Sequence, residues 1–275
     1  MREECLICGA PLEYLENDVE MECSICHKKT GSKTRCVNGH FVCDECHTQG
    51  VDAVIGLCLT EKSKDPVEII EKMMAQPFCH MHGPEHHIMV GAALLTAYVN
   101  AGGKIMSGKS ADNRAKEDAA GNSAGDRAPK DEAGESRAGE KAKDKELKEE
   151  ELKEALGEMV RRGKSVPGGA CGFWGACGAG ISAGMFVSII SGSTPLKNEA
   201  FGLSNRMTSA ALGKIGDVGG PRCCKRDSFL SIQAAVDFVR ENLGVEMEKA
   251  DVTCRYSGQN EQCIGIRCPY SAKVK

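Results

Sequence analysis

The chain is organised around the stretch Pro167-Gly168-Gly169-Ala170-Cys171-Gly172-Phe173-Trp174-Gly175-Ala176-Cys177-Gly178-Ala179-Gly180, which continues into the apolar segment 181–190. It combines two cysteines, many glycines and the only tryptophan of the chain. Because glycine lets the backbone approach a ligand or another helix closely, glycines beside thiols predict a tightly built site. We place Cys171 in the glycine-rich loop and Cys177 on the following helix, whose N-terminal dipole stabilises a thiolate.

Residues 173–190 are almost long enough to cross a membrane. Ala176, Gly180 and Gly184 recur every four positions, as in close-packed membrane helices. The run also contains Cys, Ser and four glycines, and it lies between stretches that carry candidate polar and metal-binding sites. We therefore predict a buried helix of a soluble protein and no membrane partner.

Composition limits the location and the partners. The 275 residues include 16 cysteines, many of them in Cys-x2-Cys pairs, the form that cysteines take in reducing compartments. No apolar segment follows Met1, so we expect no secretory signal and a cytoplasmic location. The net charge of −4 gives no bulk attraction to nucleic acid or anionic membranes but does not exclude a local basic patch.

Residues 1–50, which we call the head, contain four pairs of potential metal ligands. Zinc takes four thiolate or imidazole ligands, so eight ligands predict two closed zinc sites in a zinc-ribbon or RING-like domain. Sequential pairing and interleaved, cross-braced pairing both fit the spacing. Closed sites leave no place for a substrate, so we expect a structural role and count His27 and His47 as spare. The four pairs are Cys5 and Cys8, Cys23 and Cys26, Cys36 and His40, and Cys43 and Cys46.

Four of the seven histidines fall in one short stretch. His80 and His82 precede a predicted helix, and Glu85, His86 and His87 occupy its first turn. Imidazoles and a carboxylate in this arrangement fit a transition metal or acid–base catalysis, and a polar cap on a buried helix is the alternative. We assign His82 and His87 to metal binding and His86 to catalysis.

The C-terminal half carries seven cysteines and no histidine after His87. A metal held wholly within it must be thiolate-ligated, which favours an iron–sulfur cluster, here a [4Fe–4S] cluster, or an all-cysteine zinc site. Redox dithiols, catalytic persulfides and a mixed site with the histidines remain open. The metal candidates are Cys254, Cys263 and Cys268, and the catalytic candidates are Cys171, Cys177, Cys223 and Cys224.

Cys223 and Cys224 stand among three basic residues. Nearby cations favour the thiolate, so we predict lowered pKa values for both cysteines. The same cations suit the anionic group of a small substrate, and we assign Arg222, Lys225 and Arg226 to substrate binding.

The segment 104–143 lacks aromatic and large aliphatic residues after Met106 and cannot bury enough surface to fold, so it is a predicted disordered insert. A helical pattern begins at Lys145. The predicted class is α+β: a zinc-binding domain over residues 1–50, followed by a mainly α-helical, cysteine-rich domain over residues 51–103 and 144–275.

Four motifs are specific enough to carry a family resemblance. They are Cys36-Val37-Asn38-Gly39-His40-Phe41-Val42-Cys43-Asp44-Glu45-Cys46-His47, His82-Gly83-Pro84-Glu85-His86-His87, the stretch 167–179, and Gly219-Gly220-Pro221-Arg222-Cys223-Cys224-Lys225-Arg226. With them the chain resembles an uncharacterised family of cysteine-rich proteins from anaerobic prokaryotes, a domain of unknown function. The resemblance implies no activity. Locally, the stretch 167–180 also resembles glycine-rich helical motifs of small redox-active cysteine proteins and iron–sulfur lyases.

These patterns favour an iron–sulfur or thiol-dependent enzyme that carries out sulfur or redox chemistry on a small anionic substrate. The alternatives are a non-enzymatic zinc-finger protein that binds protein or nucleic acid, and an accessory factor for methyl transfer or metallocofactor assembly. No phosphate-binding loop of the G-x-x-x-x-G-K-[ST] form is present.

Overall fold

The computed structural model describes residues 5, 7–8, 10–47, 52–76, 78–106 and 137–272. One two-stranded sheet lies in the head, and the described residues after it, which we call the body, are mainly helical. The predicted α+β class, with a small N-terminal part that could bind metal and a helical remainder, is confirmed. The elements are β1 (Leu12–Glu22), β2 (Lys29–Cys36), α1 (Asp44–His47), α2 (Asp52–Thr60), α3 (Pro66–Met74), α4 (His86–Asn100), α5 (Arg137–Gly163), α6 (Ala170–Phe173), α7 (Gly178–Ile190), α8 (Asn198–Val218), α9 (Cys224–Leu243), and 3₁₀ turns at Ser257–Gln259 and Gly265–Arg267.

Helix α3 begins where the sequence places a cap. The Asp65 carboxylate accepts a hydrogen bond of 2.8 Å from the backbone N–H of Val67, and Pro66 occupies the first turn. The second oxygen of Asp65 accepts a 2.6 Å hydrogen bond from the N–H of Ala250. The cap therefore also holds the C-terminal segment against α3.

Helix α4 is the centre of the body, because it packs against α2, α3, α5, α7 and α9. The N–H of Gly91 in α4 donates to the Ser182 hydroxyl in α7 at 2.9 Å. On its other side α7 approaches α8 so closely that a Cβ atom on Gly184 would lie 1.8 Å from Oγ1 of Thr208. Two of the three small residues that resemble a membrane-helix motif, Gly180 and Gly184, thus lie where α7 packs against α8, whereas Ala176 precedes α7.

Helix α7 has 13 residues, and no helix among the described residues is long and apolar enough to span a membrane. Helix α5 begins at Arg137, inside the predicted insert, because the alanine, glutamate and lysine of this stretch are good helix formers. The rest of the predicted insert, residues 107–136, lies outside the described residues.

The C-terminal segment folds back on α9 through a few specific contacts. The N–H of Cys254 donates to the carbonyl of Tyr270 at 2.8 Å, and the Tyr270 hydroxyl donates to Gln233 at 2.8 Å. The Tyr270 ring meets the Phe229 ring edge to face, with 5.6 Å between centroids. These contacts bring the cysteines of the tail to the beginning of α9.

Candidate functional site

The head collects its eight predicted ligands into two separate groups of four. The Sγ atoms of Cys8 and Cys36 are 3.5 Å apart, and those of Cys26 and Cys43 are 3.6 Å apart. A tetrahedral zinc ion with bonds of about 2.3 Å places neighbouring sulfurs about 3.8 Å apart, so each group could hold one ion. The groups, each with all ligand atoms within 4.8 Å, are Cys5, Cys8, Cys36 and His40, and Cys23, Cys26, Cys43 and Cys46.

This interleaved, cross-braced arrangement follows from the hairpin. Leu12 of β1 lies opposite Cys36 of β2, so the first and third ligand pairs meet at the open end. The second pair lies in the turn at the other end. The fourth pair reaches that turn, where the backbone N–H of Cys43 approaches Sγ of Cys23 at 3.4 Å.

Backbone N–H groups surround the sulfurs of the head. At Cys5, Cys23 and Cys36, the N–H two residues later points at the sulfur, at 3.4, 3.5 and 3.3 Å. Such N–H contacts are typical of turns that present a thiolate to a metal, because they stabilise its negative charge.

Backbone N–H groups lower the pKa of two head thiols, Cys8 and Cys23, whereas burial raises the pKa of Cys36, Cys43 and Cys46. A hydrogen bond from the backbone of Ala10 is the main cause that lowers the pKa of Cys8 to about 6. Burial alone would raise the pKa of Cys23, but several backbone N–H groups together lower it to about 6. Both thiols therefore favour the thiolate form that binds zinc.

The head docks on the body through polar contacts. Oδ2 of Asp44 accepts a hydrogen bond of 2.9 Å from the N–H of Gly168, and the Arg222 guanidinium donates to the Tyr14 hydroxyl. The first contact ties the short helix α1 to the beginning of the glycine-rich stretch.

A cavity of about 580 Å³, which we call the junction cavity, lies where the head meets the body. Tyr14 and His47 contribute to its wall from the head, and His82, His87 and Cys224 contribute from the body. Its wall therefore combines the two parts of the chain that the sequence singles out for metal chemistry.

Glu85 is a fully buried carboxylate beside this cavity, with 0% of its side chain exposed. Its Oε2 lies 3.4 Å from Nδ1 of His47, and its Oε1 lies 3.5 Å from Nδ1 of His80. Burial alone would raise the pKa of Glu85, but the nearby imidazoles of His47, His80 and His86 hold it well below its ordinary value. The ligand atoms of His47, His80 and Glu85 all lie within 4.8 Å of one another.

A second group shares Glu85 and adds Cys79 and His86. Sγ of Cys79 lies 3.8 Å from Nε2 of His86 and 2.8 Å from Nζ of Lys225. Burial, assisted by the charge of Lys225, lowers the pKa of His86 to about 3, so its imidazole is neutral at neutral pH. Burial raises the pKa of Cys79 to about 11, although Lys225 opposes this shift.

Four cysteines of the C-terminal half line one small cavity, which we call the thiol cavity. It measures about 20 Å³, more than the about 10–15 Å³ that a water molecule needs. Groups of three potential metal ligands with all ligand atoms within 4.8 Å of one another occur elsewhere in the described chain. None of these groups includes a cysteine of the thiol cavity. The thiols therefore face one space but stand further apart than the ligands of a single ion. They are Cys223, Cys254, Cys263 and Cys268.

The sulfurs of the thiol cavity have the same backbone environment as those of the head. The N–H of Tyr256 lies 3.4 Å from Sγ of Cys254, and the N–H of Gly265 lies 3.4 Å from Sγ of Cys263, each two residues after the cysteine. The N–H of Arg226 lies 3.5 Å from Sγ of Cys223. Three of the four thiols thus receive a contact from a backbone N–H group in a turn or a helix cap.

A larger cavity of about 730 Å³, which we call the cleft, adjoins the thiol cavity. Its wall includes Cys171, Cys177, Arg222, Arg226 and Asp227. Arg226 also lines the thiol cavity. The volume of the cleft falls within the range of about 300–1,000 Å³ that is common for small-molecule sites.

A family model matches residues 54–124 and 141–271, more than half of the chain. The chain belongs to DUF5714, a family of unknown function. This confirms the predicted relation to a domain of unknown function. No curated protein and no solved structure matches the chain significantly.

The DUF5714 match begins after the head, so the motif 36–47 and both four-ligand groups lie outside the matched residues. Every cysteine of the body lies inside them, as does Glu85. The gap in the match, residues 125–140, falls within the predicted insert.

Three thiols of the DUF5714 part do not have the lowered pKa values that the neighbouring cations predict at Cys223 and Cys224 and that the helix dipole predicts at Cys177. Burial raises the pKa of Cys223 to about 11 and that of Cys177 to about 12, and it raises the pKa of Cys224 well above its ordinary value. The prediction for Cys223 and Cys224 is wrong because burial outweighs the cations: Arg226 only partly opposes the rise in pKa at Cys223, and Arg222 only partly opposes it at Cys224. Lys225 contacts Cys79, and Arg226 contacts Asp227 and two backbone carbonyls.

The predicted substrate ligands are therefore distributed over different sites. Arg222 and Arg226 line the cleft, whereas Lys225 is buried against Cys79 and lines neither the cleft nor the junction cavity. Cys171 lies in α6, and Cys177 is the residue that precedes α7.

The histidines also differ from their assigned roles. His82 and His87 line the junction cavity without joining any of the ligand groups in the described residues. Nε2 of His82 lies 3.4 Å from Oδ1 of Asn260, and Nδ1 of His87 lies 3.2 Å from the carbonyl of Val166. His47, which the sequence counts as spare, instead approaches Glu85.

Proposed function

We propose that the protein is an iron–sulfur enzyme whose Cys223, Cys254, Cys263 and Cys268 hold a [4Fe–4S] cluster beside a cleft for a small anionic substrate. The observation that carries the proposal is the convergence of these four thiols on one cavity, which measures about 20 Å³ and would have to widen to admit the cluster. The head would hold two structural zinc ions, because its closed groups leave no open position for a substrate.

The spacing of the four thiols favours a cluster over a single zinc ion. Sulfurs around one tetrahedral zinc ion lie about 3.8 Å apart, as they nearly do in the head. A four-iron cluster spreads its four cysteine ligands over four metal atoms, so its ligands face a common centre from larger distances. No three thiols of this cavity lie within 4.8 Å of one another in the described part of the chain, so the cavity does not match the close spacing around a single zinc ion.

The backbone environment supports a charged metal centre in the thiol cavity. The N–H groups after Cys254 and Cys263 approach the sulfurs with the same two-residue offset as at the predicted zinc ligands of the head. Hydrogen bonds of this kind tune the reduction potential of an iron–sulfur cluster. Cys268 is followed by Pro269, a pattern known from iron–sulfur ligation.

The cleft supplies the features that a small anion needs. Arg222 provides a guanidinium group on its wall, and Arg226 lies between the cleft and the thiol cavity. Cys171 and Cys177 place two thiols in the same space. We assign these thiols to the substrate side of the reaction and the other four to the cluster.

In the redox form of this proposal, Cys223, Cys254, Cys263 and Cys268 would hold the cluster, which would supply one-electron transfer at the cleft. The electrons would come from an external one-electron donor of the ferredoxin or flavoprotein class, two for each two-electron reduction of a substrate. Sulfane-sulfur transfer is the alternative chemistry at the same cleft. The thiolate of Cys171 or Cys177 would take the outer sulfur of a persulfide donor, which leaves as a thiolate, and would pass that sulfur to a nucleophilic acceptor.

The proposal is tested by purifying the full-length protein without oxygen and measuring iron, acid-labile sulfide and visible absorption. We expect about four irons and a broad absorption band near 400 nm in the wild type. Cys254→Ala and Cys268→Ala should each lose most of the iron.

Cys58→Ala is the matched control, because Cys58 is fully buried but lies outside the thiol cavity, with its Sγ 3.8 Å from the carbonyl of Ala92. It should retain the iron. Wild-type protein that contains zinc but no iron after reconstitution with iron and sulfide would overturn the proposal. That outcome would favour a non-enzymatic protein in which the head binds protein or nucleic acid.

A further inference from the structure

We propose that His47, His80 and Glu85 form a binding site for one divalent transition-metal ion, such as zinc, at the junction between the head and the body. His47 is the last residue of α1 in the head, whereas His80 and Glu85 belong to the body. Each histidine directs Nδ1 towards a different oxygen of the same carboxylate. The site is separate from the two head groups and from the thiol cavity.

The distances fit ligands of one ion better than hydrogen bonds. The Nδ1 atoms lie 3.4 and 3.5 Å from the carboxylate oxygens of Glu85, longer than the about 2.7–3.0 Å of a charge-assisted hydrogen bond. Metal bonds of about 2.0–2.2 Å to nitrogen and oxygen separate neighbouring ligands of a tetrahedral ion by about 3.4 Å. The gap between the three side chains therefore has the size that a metal ion requires.

The ligand atoms are also buried without partners. Nδ1 of His47, Nδ1 of His80 and Oε2 of Glu85 have no hydrogen-bond partner among the described residues. The Glu85 side chain is fully enclosed, with 0% exposure. Buried polar atoms are normally satisfied, and one cation bound between these three groups would satisfy all of them.

The neighbouring group of Cys79, Glu85 and His86 is the weaker candidate for the same ion. Nδ1 of His86 already faces the carbonyl of Gly83 at 3.2 Å. The sulfur of Cys79 lies 2.8 Å from the ammonium nitrogen of Lys225, and this positive charge disfavours a second cation at that sulfur. By contrast, neither Nδ1 of His47 nor Nδ1 of His80 has a hydrogen-bond partner among the described residues.

Three protein ligands leave a coordination position open, which is typical of catalytic rather than structural zinc sites. His47 lines the junction cavity, and its side chain is 20% exposed. A water molecule or another small ligand in this cavity could therefore complete the coordination. The expected ligand class is a donor of oxygen or nitrogen, which a zinc ion in this environment would polarise.

The test is a cobalt titration of metal-depleted, full-length wild-type protein, followed by absorption spectroscopy. Cobalt at the two head groups should give intense thiolate-to-cobalt charge-transfer bands. We expect one further equivalent of cobalt to bind at the proposed site. It should add weak visible bands without any thiolate-to-cobalt charge transfer. A wild-type titration that ends without such an equivalent would overturn the proposal, independently of whether an iron–sulfur cluster is present.

Variants then assign the ligands. Glu85→Gln and His80→Ala should each lose the further equivalent and keep the thiolate bands of the head, which also report that the head is folded. The matched control is His27→Ala, because His27 and Glu22 form a histidine–glutamate pair at 3.1 Å on the surface of the head. Retention of the further equivalent in both Glu85→Gln and His80→Ala would place the ion elsewhere and refute the assignment.

Discussion

The ammonium nitrogen of Lys225 lies 2.8 Å from the sulfur of Cys79. Lys225 is only 2% exposed, and the same nitrogen lies 5.1 Å from the centre of the Tyr256 ring. A buried ammonium group requires partners of this kind, because an uncompensated buried charge is strongly destabilising. The contact also connects the stretch before α4 to the beginning of α9.

Replacement of Cys79 should therefore destabilise the protein through Lys225. We expect Cys79→Ala to lower the free energy of unfolding by about 1–3 kcal/mol, since it removes an acceptor from a buried charged donor. Cys79→Ser retains an acceptor and should lose less. Urea denaturation measures both, with Cys58→Ala as the control for loss of a buried thiol that does not contact a charged group. Equal losses in Cys79→Ala, Cys79→Ser and Cys58→Ala would argue against a role of the charge.

The cross-brace predicts which double variants lose one zinc ion and which lose two. Cys8 and His40 belong to one group, so Cys8→Ser, His40→Ala and their combination should each lose one zinc ion relative to wild type. Cys8→Ser combined with Cys26→Ser should lose two. Metal analysis decides between the pairings, because sequential pairing predicts the reverse pattern for the two double variants.

The close contact of α7 and α8 predicts opposite effects for two glycine substitutions. Gly184→Ala should destabilise the protein by about 1–3 kcal/mol, because the new methyl group would collide with Thr208. Gly213→Ala in α8 meets no atom within 4 Å and should stabilise it by about 0.5–1 kcal/mol through helix propensity. Thermal and urea denaturation measure both. The same sign for the two variants would contradict the described packing.

Glu158 of α5 predicts a dependence of stability on pH. Its carboxylate accepts 2.6 Å hydrogen bonds from Arg161 and Arg162. The hydrogen bond from Arg161 is the main cause that lowers the pKa of Glu158 from 4.5 to about 2. Arg162 adds to this shift, whereas burial opposes it. Because the folded-state pKa is the lower one, the stabilisation is complete above about pH 4.5 and is lost as the pH falls towards 2.

Glu158→Gln should remove this contribution. The side chain is 30% exposed, so solvent screening limits the expected loss at pH 7 to about 1 kcal/mol or less. The difference in unfolding free energy between wild type and variant should shrink between pH 4.5 and pH 3. Glu154→Gln, at an exposed position of the same helix, is the control. A difference that stays constant over this range would contradict the role of Glu158.

Local signals in the sequence predict much of the fold. Asp65 followed by Pro66 marks the beginning of α3, and the glycines of the stretch 178–190 mark a helix that packs closely against its neighbours. The early beginning of α5 at Arg137 is missed because its charged residues resemble those of the preceding insert. The helix propensity of its residues, rather than their burial, distinguishes the beginning of α5 from the preceding insert.

The candidate sites are less predictable, because they depend on contacts between distant segments. The eight ligands of the head are evident from spacing, but their pairing depends on the register of Leu12 with Cys36. The assignment of Lys225 to substrate binding assumes that neighbours in sequence share a site. On a helix, however, adjacent residues point in different directions, so Lys225 meets Cys79 while Arg226 reaches the cleft.

Cys46 and His47 are adjacent residues of the four-residue helix α1, yet one faces the second cysteine group of the head and the other faces Glu85 of the body. The position of His47 therefore depends on whether its neighbour is anchored. As the chain leaves the ribosome, His47 emerges before Glu85, so the contact between them must wait until the helical part has been synthesised. If the head takes up its metal later still, metal supply rather than synthesis would set the moment at which the junction closes.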